Sequence, residues 1–353
     1  WRLWDQFALR GPGFPASGVL RLAPEGLAVA ADRFVGVEVL SGADWEAFEE
    51  VFGAAVVSLA GVLQGIAGSG LFRSAVAWQN RAVLRSGVGP FLSWVPSVAG
   101  RTSMPRQREE LVAHYWQRFC VKNDTIGFFG PVGWGRWDLS GRGVVVDAGV
   151  GLVAGSEVFF SPWAVDAVAR VVGGGGGARE WLAPRRVPFV RVTGEGVVVP
   201  GLPVRAVDRR WRRVLELCDG RRTAGQIAAA AGVSLPDCVG VLGDLVRRRW
   251  VSWRLEVPAD VRSERHLRRW LEGVGDPGLR RRGLEALDVL ERGRDRVRAA
   301  TGVDALVAAL AVLEADFVSL TGTAAAREKG SGTAPCRAVV YSDSRRSATI
   351  RLG

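Results

Sequence analysis

Apolar residues recur at helical spacing through much of the first 120 positions. In WEAFEEVFGAAVVSLAGVLQGIAG they follow Asp44, the expected N-cap, and acidic residues fill the first turn, where the helix dipole favours them. Residues 71–86 keep the same period, and a basic, proline-broken link (RTSMPRQREE) leads into a further helix, ELVAHYWQRFCVKN. The lead-in FALRGPGFPASGVLRLAP, punctuated by Pro and Gly, reads as irregular to extended. After the helix the pattern breaks, because DTIGFFGPVGWGRWDL is too rich in glycine to be regular helix. Short strands are expected at 144–146 and 158–160, a helix at 162–172, and a flexible joint at glycines 173–177.

From about residue 186 the period becomes alternating. VPFVRVTGEGVVVPGLPVRAV predicts two strands around a turn at 193–196. Helices follow at 208–218, 223–231 and 234–248, with Thr223 and Ser234 as N-caps, and then a strand, VSWRLEVP. A hairpin, three short helices and a returning strand outline a winged helix-turn-helix. Two helices are expected over 261–320, divided at Asp276-Pro277-Gly278, then a polar linker and a strand, RAVVYSDS. The fold class expected is α+β, a multidomain mixed helix/sheet protein with an inserted winged helix-turn-helix. Its divisions fall at 1–185, 186–258 and 259–353.

Composition narrows the chemistry. Length (353 residues) and 48% hydrophobic content allow a real core in each of two or three domains. The net charge is +11, and every cation except Lys122 and Lys329 is Arg. Such a surface suits a polyanionic partner, though a coding bias towards Arg gives the same count. Two His, at 114 and 266, exclude a three-histidine metal site, and His114 reads as a packing or surface residue. Four scattered Cys exclude a disulfide scaffold. No apolar run is read as reaching the roughly 18 residues of a membrane helix, and a cytoplasmic location is expected.

The densest chemical signal is YWQRFCVKNDTIGFFGPVGWGRW, residues 115–137. Arg118 and Lys122 are four apart at a helix end, so both cations fall on one face. Asn123, Asp124 and Thr125 cluster where the helix stops, and the following glycines allow close backbone approach. A packed basic helix end explains the same residues, while the absence of GxxxxGK[ST] argues against a nucleotide loop.

This stretch, with FALRGPGFP near the start and VVYSDSRRS near the end, resembles the N-terminal region of lantibiotic dehydratases. The resemblance implies a glutamylation domain, which takes glutamate from glutamyl-tRNA and acylates Ser or Thr of a ribosomally made precursor peptide. A separate elimination domain would then expel glutamate to leave dehydroamino acids, and the remainder of the glutamylation domain is the other expected partner. No cofactor is implied beyond the aminoacyl-tRNA co-substrate. By matched position, Arg10, Arg118 and Lys122 would hold tRNA phosphate or the donor carboxylate. Asp124, Thr125 and Asp343 would orient the substrate or the cations, and Arg345 and Arg346 would extend the basic surface. Asp343 pairing Arg345 or Arg346 is the plain structural alternative. The family's known Thr-Pro-Phe-Gly turn is replaced by Lys122-Asn123-Asp124-Thr125-Ile126-Gly127. Related stand-alone enzymes extend a peptide C-terminus with ATP, and a non-catalytic leader-binding module is a further alternative.

The winged unit invites a DNA-binding reading, but its third helix carries Leu, Val, Cys and Gly on its middle turns rather than base-reading side chains. A leader peptide fits better, added as a strand along Val197, Val198 and Val199 with Leu242 and Leu245 as the facing wall.

Overall fold

Proline and glycine cut the first forty residues into short pieces: β1 (Gln6–Arg10), a 3-10 turn at Ala16–Leu22, and α1 (Leu27–Asp32). The computed structural model describes residues 4–39, 41–122, 130–151, 153–175, 177–325 and 338–353. The long helix α2 (Gly42–Gly68) starts earlier than expected. Its N-cap is Ser41, whose hydroxyl accepts from the Asp44 N–H at 3.1 Å, so Asp44 sits inside the first turn.

α2 also corrects the reading of apolar runs. Residues 51–68 carry no charge, and their glycines, mixed with Ala and Val, do not end the helix. By length and composition it is able to cross a membrane, although a third of that window is buried in the protein. α3 (Gly70–Val83) leaves helical geometry at Asn80 and runs into a π-turn at Leu84–Val88, then α4 (Gly89–Leu92) and α5 (Ser103–Val121).

The strands β2 (Val132–Trp137), β3 (Val144–Asp147) and β4 (Val153–Phe160) come next, followed by α6 (Pro162–Gly174). Short strands β5 (Arg185–Arg186), β6 (Arg191–Val192) and β7 (Val197–Val198) precede α7 (Arg209–Leu217), α8 (Ala224–Ala231) and α9 (Leu235–Arg247). The strand expected after α9 shrinks to β8 (Val251–Ser252), since the residues beyond Ser252 do not pair. Three helices, not two, fill the stretch from 261: α10 (Ser263–Glu272), α11 (Pro277–Ala299) and α12 (Val303–Thr321). The chain ends on β9 (Val340–Arg346) and β10 (Thr349–Leu352).

The chain divides into two compact units: residues 1–159, 295–312 and 341–353 form the first, residues 160–294 and 313–340 the second. The first unit has a helical core in which Phe72, Phe91 and Phe119 are buried together with Val112 and Trp116. Phe14 stacks on Phe119 at 5.7 Å, and its N–H donates to the Phe119 carbonyl at 3.2 Å. The lead-in is thereby pinned to the last turn of α5. Burial of each Phe there stabilises by roughly 1.5–3 kcal/mol.

Beside this core lies the six-stranded sheet, centred on β2. β1 lies antiparallel along one edge of β2, from Gln6↔Arg136 to Arg10↔Val132. The other edge is shared in turn by β9 and β10, both parallel to it. Val132 pairs with Arg345 and Gly135 with Ile350, so three steps on β2 match five on the partner. β9 and β10 are thus one strand bent by a bulge at Ser347 and Ala348. β10 pairs onward with β3, and β9 with β4.

In the second unit, α7, α8 and α9 enclose Val214, Leu215, Ile227, Leu242 and Leu245. Sequence capping signals explain the helix limits. Thr223 and Gln226 form a reciprocal capping box, and Ser234 caps α9. α9 ends on Arg249 at φ 60°, with Trp250 N–H donating to Leu245 O and Arg249 N–H to Val246 O. This is a left-handed helix stop that usually takes glycine.

Candidate functional site

Paired residues on neighbouring strands project to one face of a sheet, and residues two apart on a strand share it. Arg10, Val132 and Arg345 therefore form a row across β1, β2 and β9. Asp343 and Trp134, each two positions from a member of that row, lie on the same face. Contacts bear this out. The Arg10 guanidinium meets both carboxylate oxygens of Asp343, at 3.2 and 3.4 Å, and donates to the Gly130 carbonyl at 3.0 Å. Asp343 Oδ1 also accepts from the Ser344 N–H at 3.0 Å.

This face frames a hollow of about 460 Å³, with Trp134, Glu157, Phe159, Asp343 and Arg345 among its walls. Trp134 is 55% exposed, an unusual position for a large ring in a strand. Glu157 faces Arg298 at 3.5 Å, and Phe159 packs on Tyr341 at 5.5 Å between ring centres. The opposite face is closed: Val158, Ser342, Ser344 and Ile350 are all buried. A cation fixed by a carboxylate, an exposed Arg345 and an open aromatic surface can together receive an anionic, planar-ended ligand.

The expected site residues meet different outcomes. Arg10, Asp343 and Arg345 are brought together. The alternative pairing of Asp343 with Arg345 or Arg346 is not formed; its partner is Arg10, 333 positions away. Arg346 turns to the other face, where its side chain lies over Gly133 and Gly11, and its Nε is buried without a hydrogen-bond partner among the described residues. It therefore does not extend the basic surface.

Arg118 sits half-buried in the last turn of α5, and Lys122 is the exposed C-cap whose N–H still donates to the Arg118 carbonyl at 3.0 Å. The two remain one turn apart. Burial pushes the Tyr115 phenol above its usual value, while the Arg118 charge opposes that rise. Asn123, Asp124 and Thr125 lie outside the described residues. Sequence reading missed Trp134, Glu157 and Arg298. The alternation of Gly with Trp in VGWGRW was the available signal for a strand with one crowded and one open face.

The five expected peptide contacts are placed differently. Leu242, Leu245 and Val197 are fully buried, and Val198 and Val199 half-buried. Val197 faces Val192 of β6 on one side and exchanges two backbone hydrogen bonds with Arg205 on the other, at 2.9 and 3.0 Å. Its backbone is not a free edge. The side chains of Val197, Leu242 and Leu245 are part of the second unit's core instead of facing a groove.

The model of the lantibiotic dehydratase N terminus matches residues 69–353. The chain belongs to this family. Among solved structures it is similar to the tRNA dependent lantibiotic dehydratase MibB from Microbispora sp. 107891, at 16% identity and a TM-score of 0.52. It is also similar to the glutamylation domain TbtB from thiomuracin biosynthesis, at 15% identity, with a TM-score of 0.59 for the form bound to 5'-phosphodesmethylglutamycin and 0.58 for TbtB alone. The chain is covered over 99% and 98% of its length, but it spans 29% of the MibB chain and 49% of TbtB. At these identities the likeness establishes a shared mixed helix/sheet fold. Comparison with curated proteins gives no match.

Proposed function

We propose that the chain transfers an amino acid, glutamate in the first instance, from its tRNA ester to Ser or Thr side chains of a ribosomally made precursor peptide. The family membership supports this class of reaction, and one observation carries it here: the Arg10–Asp343 pair that opens onto the hollow beside Arg345. An aminoacyl-tRNA is already an activated ester. The acceptor hydroxyl oxygen attacks its carbonyl carbon, the hydroxyl proton is released, and the tRNA 3′ oxygen leaves. Orientation and charge stabilisation suffice for such a step.

In this reading Arg10 and Arg345 hold the donor's phosphate or carboxylate, Asp343 fixes the Arg10 fork, and Arg118 and Lys122 take the acceptor end. Asp124 and Thr125 keep the orienting role assigned by the resemblance. The 186–258 segment is proposed as a winged helix-turn-helix that holds the leader, through a strand edge other than that of Val197. The cytoplasm is the proposed location, where charged tRNA is available.

The test incubates the protein with glutamyl-tRNA and a precursor peptide and follows intact peptide mass. Added glutamyl groups on Ser or Thr support the reading. No addition from any aminoacyl-tRNA overturns it in favour of a leader-binding module. A C-terminal addition that requires ATP points instead to a peptide ligase.

A further inference from the structure

The second unit carries a basic feature that the reaction above leaves unused. α7 opens with Arg209, Arg210, Arg212 and Arg213 around Trp211. With Glu216 they form one wall of a hollow of about 940 Å³, and the turn from Ala231 to Ser234 with Asp237 forms the other, so four cations face two carboxylates. Asp208, exposed, is committed as the cap of α7, accepting from the Trp211 N–H at 2.7 Å. Of the four arginines only Arg213 has an acidic partner among the described residues, Glu216 at 3.6 Å. Arg209 and Arg210 are exposed, and the Nε of Arg212 is buried with no hydrogen-bond partner among the described residues. The start of α9, with its aligned backbone N–H groups, adds positive potential to the same space.

Four guanidinium groups this close repel one another, and an arriving polyanion relieves that repulsion. Helix pitch places Arg209 and Arg213 about 5–6 Å apart along the axis, a spacing suited to successive phosphates. The hollow gives a peptide little to hold, with Ala231 and Val233 its only apolar walls. No base-reading surface accompanies it, since α9 exposes Leu235, Val239 and Val246.

We infer that this hollow grips the phosphodiester backbone of an RNA, the tRNA of the proposed reaction, independently of base sequence. The inference rests on the tRNA-dependent reading of the chain. It assigns Arg209, Arg210 and Arg213 to substrate binding through phosphate contacts, and to no chemical step.

The test compares wild-type full chain with R209E/R210E/R213E and with R209K/R210K/R213K, using glutamyl-tRNA binding across a salt series. The Glu variant is expected to bind on the order of 10- to 100-fold more weakly at low salt, with the log–log salt slope reduced by about 2–3. The Lys variant retains most of the affinity, precursor-peptide affinity is unchanged, and transfer at saturating tRNA keeps its kcat with a raised KM. Should the Glu variant fail to fold by thermal melt, R209E and R210E alone are each expected to remove about 0.7–0.9 of the slope.

Wild-type affinity and slope in every reversal variant overturn the inference while leaving the proposed reaction standing. A loss of peptide affinity with tRNA binding intact overturns it in favour of an acidic-peptide site. Failure of the wild-type chain itself to bind tRNA instead removes the reaction on which the inference rests.

Discussion

Two arginine sites in this chain are built on opposite plans. On the open sheet face Arg10 is held by Asp343 and by the Gly130 carbonyl, so its fork has a fixed direction before any ligand arrives. On α7, Arg209 and Arg210 stand in solvent without acidic partners among the described residues. A fixed cation pays its ordering entropy during folding and can discriminate geometry. An unpaired exposed set mainly supplies long-range attraction, which salt screens. On the proposed reading, the difference separates a place for chemistry from a place for capture.

The largest effect expected on this contrast is from Arg10→Ala. It should lower single-turnover transfer by roughly 10²–10³-fold, as loss of a positioned charge does elsewhere, with a smaller loss of tRNA affinity from its contact to the donor's phosphate or carboxylate. A fall in affinity equal to the fall in rate would erase the distinction. Next in size, Asp343→Asn should lower the rate by roughly tenfold or more, and should add little in the Arg10→Ala background, because the two act as one unit. Additive losses in that double-mutant cycle would show that the pair does not work through a shared contact.

Smaller effects sharpen the structural half of the comparison. Arg249→Gly should raise stability by about 1 kcal/mol in chemical denaturation, since it relieves a left-handed backbone at the end of α9. Thr223→Ala should cost about 1 kcal/mol through loss of the capping box. The smallest concerns Asp219. Backbone N–H bonds, first from Arg222 and then Arg221, hold its carboxyl below the usual value, with the Arg222 charge helping. A depressed carboxyl stabilises above its unfolded value of about 3.9 and loses that contribution as pH falls through the folded one. Asp219→Asn should therefore destabilise by at most about 1 kcal/mol near neutrality, and by less once acid protonates the Asp219 carboxyl.

Legibility in the sequence followed the range of the interactions. α7, α8 and α9 were readable to within about a residue, because Thr223, Ser234 and the Asp219-Gly220 stop are local signals. β2 was not, since its glycines hide the alternation: the space above Gly135 belongs to the Phe7 ring, and that above Gly133 to Arg346 and Ile350. Arg10 and Asp343 were each identifiable through the family resemblance, yet their contact was not, because it is made across three strands by residues at opposite ends of the chain. Residues Val197, Leu242 and Leu245 show the reverse error. An apolar strand and helix face look alike whether they bind a peptide or fill a core, and here neighbouring backbone and helices had already claimed them.

The bulge at Ser347 and Ala348 fixes which way the last segment faces. Arg345 and Ile350 look to opposite sides of the sheet because an odd number of steps separates them, so Arg345 meets solvent while Ile350 is interred. Deleting a single residue there would exchange the two orientations downstream. Ile350 would swing into water, or else Arg345 and Asp343 would be drawn beneath the sheet. The kink thus acts as a parity lock: two extra residues are tolerated where one would turn the terminal strand inside out.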